Sequence, residues 1–299
     1  MRSGLFFILF LVISSNFFGQ DLTGFVNPFI GTTNYGTTNP GAVLPNGMMS
    51  VAPFNVMGSD ENKFDKDKQW WSTPYSYENK FFTGFSHVNL SGVGCPEAGS
   101  LLLMPTSGEL NVNYKEYGSG YAGEQASPGY YTNRLTKYGI LTEVSATTRT
   151  SIARFTFPKG HANILLNLGE GLTNESGAWM RRISDTEIEG MKVLGTFCYN
   201  PQAVFPIYFV MRVSKPPLTA GYWKKQREMT AEAAWDSTAG TRKIYTRYGR
   251  DIAGDDIGAY FSYDVKAGET IEVQIGVSFV STANARENLE AEQNGFQFD

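Results

Sequence analysis

Short runs rich in Val, Ile, Thr, Phe and Tyr recur along the chain, and Gly, Pro, Asn or Asp punctuates them. They cover residues 101–104, 141–148, 152–157, 163–168, 186–191, 205–213, 243–247, 258–263 and 270–280. Several alternate: from Glu272 to Phe279 the apolar side chains of Val273, Ile275, Val277 and Phe279 fall on one face. Nine such runs without intervening crossover helices disfavour a parallel α/β fold. They predict an all-β chain, a large antiparallel β-sandwich of two sheets. One helix is expected near the end, over residues 283–293, where strong helix formers follow Ser281 or Thr282 as N-cap. No internal repeat or low-complexity tract interrupts this pattern.

The first twenty residues stand outside it. Arg2 precedes an apolar run over residues 5–14, too short to span a bilayer and suited to a signal peptide. The mature chain is expected to be exported, soluble, and periplasmic or secreted. The remaining residues, about 280, can bury a sizeable core. With 29 acids and 25 bases interspersed and a formal charge of −4, the chain lacks the basic stripe of a nucleic-acid binder. Two cysteines, Cys95 and Cys198, make no framework and no metal-ligand spacing. An exported chain permits a disulfide, but two small buried thiols are the commoner state.

Residues 69–105 concentrate the unusual chemistry. They hold Trp70 and Trp71, one of two histidines (His87), one of two cysteines, and four glycines at 84, 92, 94 and 99. Glycine at that density implies tight turns or a close approach to the backbone. Small hydroxyls and amides beside aromatics suit a sugar-contacting surface; the plainer alternative is a buried glycine-rich loop between two strands. GFSHVNLSGVGC (residues 84–95), followed by LLLMP, resembles the signature segment of glycoside hydrolase family 92, the exo-acting α-mannosidases. FVNPFIGT (25–32), NPGAVLPNGMMSVAP (39–53) and SPGYY (127–131), continued by residues 138–158, resemble further family motifs. Residues 197–216 and 277–292 do so again, all in the family's order.

The resemblance implies an N-terminal β-sandwich of the supersandwich type over residues 21–280. The start of a helical linker would occupy residues 281–299, and the catalytic helical-barrel domain is expected to be missing. It also implies a calcium-dependent, inverting mechanism on mannose-containing glycans. The catalytic carboxylates and most of the Ca2+ shell would belong to the missing domain, so no catalytic or metal residue is assigned here. The chain alone would be inactive, a partner that packs on the barrel and lends loops to the sugar pocket. A stand-alone carbohydrate-binding module is the competing reading. Substrate contacts are expected among Trp70, Trp71, His87, Asn89, Ser91, Gly92, Cys95 and Glu97. Adjacent strand residues point to opposite faces, so one tryptophan should be core and the other exposed. Trp71, before Ser-Thr-Pro-Tyr, stands more as the family's sugar-site tryptophan would, without deciding between them. His87 fits a hydrogen-bonding strut as well as a sugar contact, and Glu97 a cap or a sugar hydrogen bond better than an acid catalyst.

Elsewhere the acids read as ordinary. Asp60, Glu61, Asp65 and Asp67 interleave with Lys63, Lys66 and Lys68 and read as a solvated loop. Asp255-Asp256 reads as turn chemistry, and His161 as surface. Asn46 in LPNGM, Asn34-Tyr35-Gly36, and Ala153-Arg154 depart from the family pattern and leave the mannosidic linkage open.

Overall fold

The computed structural model describes residues 22–172, 177–195, 198, 200, 202–226, 240–246, 249 and 251–299. The leader assigned to residues 1–20 lies outside them. A short 3-10 turn at Thr23–Phe25 precedes the first strands, β1 (Ala42–Val43), β2 (Ser50–Phe54), β3 (Phe81–Phe82), β4 (Gly84–Asn89) and β5 (Ala98–Ser107). After a helical turn, α1 (Tyr114–Tyr117), come β6 (Ser119–Ser127), β7 (Tyr130–Leu135), β8 (Ile140–Ala146), β9 (Thr150–Phe157) and β10 (Gly160–Asn167). The rest are β11 (Ala178–Arg182), β12 (Glu187–Leu194), β13 (Phe205–Val213), β14 (Thr219–Gln226), β15 (Thr241–Tyr245), β16 (Asp251–Gly254), β17 (Ile257–Val265) and β18 (Glu269–Ser278), then helix α2 (Thr282–Glu292).

They form two antiparallel sheets. One runs β1-β2-β4-β5-β10-β17-β14-β15, and the other β16-β11-β12-β13-β18-β9-β8-β7-β6-β3. Each of the nine runs expected to be strands coincides with a strand over most of its length, residue 247 lying outside the described residues. Those the apolar pattern passed over are the short edge strands β1, β3 and β16, the five-residue interior strands β2 and β11, the more polar β6–β7 and β14, and β4, which the glycines and polar residues of 84–95 had marked only as a turn-rich stretch. One continuous apolar core lies between the sheets, with Phe54, Phe85 and Leu103 from the first against Tyr131, Phe155 and Ile275 from the second. Removing this much apolar surface from water is the main force holding the layers together.

Helix α2 explains why β18 departs from simple alternation. Gln274, Gly276 and Ser278 occupy the outward face yet are buried. The helix covers them, placing Ala285 and Leu289 against Val210. Gly276 permits this approach: a Cβ there would stand 2.8 Å from the Leu289 Cβ. Ser281 caps the helix by accepting from the Asn284 amide at 3.1 Å. Asn288 donates to the Val277 carbonyl at 2.8 Å, and Glu292 accepts from the Arg149 amide at 2.9 Å. Arg286 reaches Glu189 at 2.7 Å and pairs with Glu187. Because Leu289 is fully buried between helix and sheet, Leu289→Ala is expected to cost about 2–4 kcal/mol in urea denaturation. A helix merely passing over the sheet would give a change near zero.

Candidate functional site

The β4–β5 hairpin carries an unusual backbone. Val88, Ala98 and Leu101 all have positive φ (58°, 57° and 53°), as do Gly84, Gly92 and Gly99. Left-handed backbone is costly for any residue with a Cβ and most of all for a β-branched one, so such residues persist only where their surroundings over-determine them. The strand register shows the cause. Phe85 pairs with Leu103 but His87 pairs with Ser100, so β5 carries one extra residue. That bulge turns the Leu101 carbonyl out of the ladder, and His87 Nδ1 meets it at 2.7 Å. His87 is 1% exposed. Burial pushes its imidazole from an ordinary value near 6.5 down to about 4, against the opposing pull of the Leu101 and Phe85 main chain. It is a neutral strut at pH 7.

Asn89 is equally committed. Its amide nitrogen donates to the Ser50 and Ser86 carbonyls at 3.2 and 2.9 Å, its Oδ1 accepts from Ser86 Oγ at 2.7 Å, and its backbone N–H donates to Ser50 Oγ at 2.7 Å. Glu97 is buried and accepts from the Ala98 amide at 3.1 Å. Ser91 and Gly92, between them, are exposed. Cys95 forms a disulfide with Cys198, Cα–Cα 5.2 Å, which corrects the expectation of two free thiols. The link ties the 90–97 loop, which leaves the first sheet, to residues just ahead of β13 in the second.

The two tryptophans divide as adjacent residues should. Trp71 is 5% exposed, stacked on Phe64 at 4.2 Å and 22°, with Tyr35 tilted against it at 6.2 Å. Trp70 is 51% exposed. A strap formed by residues 31–41 joins this aromatic loop to the hairpin. On one side Thr73 Oγ1 donates to the Thr38 carbonyl at 3.3 Å; on the other the Gly92 amide donates to Thr37 O at 2.9 Å. The strap's role was not legible in the sequence, because the main-chain carbonyls of Thr37 and Thr38 make its links to both loops and no side-chain pattern announces them. Tyr35, Val43, Leu44, Trp70 and Leu90 are exposed apolar side chains on these loops.

The acidic loop is solvated at Asp60, Glu61, Lys63, Asp67 and Lys68, as expected, but anchored at Asp65 and Lys66, where the expectation is corrected. Asp65 and the Lys66 side chain are buried. Lys66 pairs with Asp67 at 2.8 Å and lies 3.6 Å from Glu170; Arg242 holds Glu170 at 3.2 Å and Asp256 at 2.8 Å. Asp256 is therefore half of a partly buried ion pair and more than a turn residue. Burial pushes the carboxyls of Asp65 and Glu170 above their ordinary range. Among the described residues no group of three metal-ligating side chains converges. His161 is exposed beside Asp264, as surface chemistry required. No helix among the described residues is long and apolar enough to cross a membrane.

Comparison with known proteins gives three concordant findings. The family model described as the glycosyl hydrolase family 92 N-terminal domain matches residues 25–278. An uncharacterized secreted glycosidase of Arthroderma benhamiae is 25% identical over 93% of this chain and 36% of its own length. A family GH92 α-mannosidase from Bacteroides thetaiotaomicron, solved with mannoimidazole, superposes with a TM-score of 0.75 at 28% identity, over 91% of this chain and 34% of that one. An inverting mannosidase of the same family and organism shares the fold at a TM-score of 0.69 and 23% identity, covering 91% and 33%. The chain thus spans about a third of the length of these relatives.

Two outcomes test this construction. Between pH 6.5 and about 4 the unfolded chain takes up a proton at His87 that the folded chain refuses. The stability that neutral His87 contributes is whole above pH 6.5 and falls as the pH drops. From pH 7 to pH 4 the wild type should lose about 3 kcal/mol more than His87→Gln in denaturant titrations. Equal slopes would mean that His87 is not held neutral. Cys198→Ser removes a cross-link between residues 103 apart in sequence and should lower stability by about 3–5 kcal/mol in the same assay.

Proposed function

Because the chain belongs to glycosyl hydrolase family 92, matching its N-terminal domain over residues 25–278, we propose that it is the β-sandwich portion of an exported α-mannosidase acting on mannose-containing glycans. Its part is to pack on a catalytic helical barrel and to present one end of the sandwich to the sugar site. The observation that carries this reading is the strained hairpin, joined through the strap of residues 31–41 to the loop that bears an exposed tryptophan. Backbone strain concentrated at a surface loop, and held there by a disulfide and a buried imidazole, is a feature of ligand-binding sites.

The contacts divide by exposure. Trp70 offers an aromatic face on which a pyranose ring stacks, and Ser91 and Gly92 lie open beside Leu90. Trp71, His87, Asn89, Cys95 and Glu97 hold that surface in shape from beneath. The apolar side chains of Tyr35, Val43, Leu44 and Leu90 supply the surface on which the barrel rests.

Inverting hydrolysis needs a general acid and a general base, about 6.5–9.5 Å apart. The acids that cluster here are already neutralised by cations. Asp67, Glu170 and Asp256 face Lys66 and Arg242, and Glu187 and Glu189 face Arg212 and Arg286. On the family resemblance, the acid, the base and the calcium are assigned to the catalytic barrel rather than to this chain. The residues present do not fit a calcium shell, since Asp60, Asp65 and Asp67 are paired with Lys66 and Lys68, and no step is routed through the ion.

Purified by itself with calcium, the chain should release no product from an aryl α-mannoside; calcium-stimulated release would overturn this reading. Supplied with the barrel of a relative, it should restore turnover, and Trp70→Ala should raise KM with little effect on folding. A self-sufficient carbohydrate-binding module is the second reading, favoured by the exposure of Trp70. Calorimetry separates the two: mannose affinity of the isolated chain that disappears in Trp70→Ala would transfer the assignment to the module.

A further inference from the structure

A cavity of about 630 Å³ opens on the outer part of β6, between that strand and the segment holding Asn27, Phe29 and Thr33. Its volume is in the range of small-molecule sites. Its floor carries a carboxylate that the strand would not ordinarily direct inward. Regular alternation from buried Tyr121 would turn residues 123 and 125 inward, but a bulge between Ala122 and Gln125, with Gly123 at φ +64°, brings Glu124 inward instead. Bulges are a common means of re-aiming a single side chain.

Glu124 is fixed from behind. Tyr75 donates its phenol to the two carboxylate oxygens at 3.0 and 2.9 Å, and Tyr131 donates to Oε2 at 2.7 Å. Both tyrosines are fully buried. Tyr121 completes the layer, its phenol accepting from Asn55 and donating to the Asn79 carbonyl. A carboxylate accepts about four hydrogen bonds. Two phenols are its only hydrogen-bond partners among the described residues, so acceptor capacity remains toward the cavity.

The surrounding groups select the ligand. Lys80 lies over the Tyr77 ring at 4.6 Å and the Tyr121 ring at 5.6 Å, and donates to the Tyr77 carbonyl at 2.9 Å. The chain's own ammonium thus already fills the cation position that these rings create, and a second cation would be repelled. An anion would meet Glu124. What remains is a neutral molecule with several hydroxyl donors and an apolar face, and Phe29 and Tyr77, packed edge to face at 5.9 Å, form the aromatic wall for that face.

We propose that this cavity is a second saccharide site, separate from the Trp70 surface, in which Glu124 accepts hydrogen bonds from hydroxyls of a neutral pyranose and Tyr77 covers one face of the ring. It does not rest on the mannosidase reading: no residue of the β4–β5 hairpin takes part, and Thr33 alone is shared with the strap of residues 31–41.

The test is calorimetric or ligand-observed NMR titration of the whole chain with methyl α-mannoside, methyl β-glucoside and methyl β-galactoside. At least one should bind with millimolar affinity. Glu124→Gln should weaken that binding at least tenfold, and Trp70→Ala should leave it unchanged. Tyr77→Ala, at a half-exposed position, should weaken it similarly and decides the matter should Glu124→Gln fail to fold. No binding of any of the three, or binding that a folded Glu124→Gln retains, would overturn the proposal. Binding lost only in Trp70→Ala would overturn it too, while pointing to the other surface.

Discussion

One buried hydrogen bond sets the shape of the β4–β5 end of this molecule. An extra residue in β5 puts Leu101 at a break in the register with β4, and a carbonyl left unpaired in a dry interior is expensive. His87 supplies the missing donor from the neighbouring strand. With that bond in place the bulge is tolerated, and Val88, Ala98 and Leu101 are held in left-handed backbone that none of them would choose. The exposed segment of the 90–97 loop, Ser91 to Gly92, follows from a histidine that touches no solvent.

The strand framework was largely legible because its signal is local. Phe205–Val213 is bounded in the structure as its apolar run is bounded in the sequence, and the alternation in β18 marks the core face from Val273 to Val277. What escaped was set by long-range partners. Strand β4 holds glycine and polar residues, since its hydroxyls and amides are satisfied by Ser50 and by the main chain of neighbouring strands, and only the assembled sheet reveals that. Outward-facing Gln274 looks like a solvent position until α2 is laid across it. Trp70 and Trp71 could be told apart only after Phe64 was seen stacked on one of them.

Electrostatics show the same division. Alternating acids and lysines in residues 60–68 look solvated when read along the chain, because each charge has an opposite neighbour in sequence. In three dimensions Lys66 turns inward to meet Glu170, which follows β10, while Arg242 from β15 ties Glu170 to Asp256 ahead of β17. Charges so nearly removed from water are stable only as a set. The set fastens the loop that ends in the tryptophan pair to the far strands of its own sheet. The position of Trp70 therefore depends on cations and carboxylates contributed by distant parts of the chain.

The covalent link between Cys95 and Cys198 has a topological consequence as well. It closes the backbone between those residues into a ring that contains strands β5 to β12 and so contributes to both sheets. A single backbone nick anywhere on that ring opens it without dividing the molecule; the fragments part only once a thiol reductant reaches the bridge. Close to half of the sandwich is thereby tolerant of one proteolytic cut.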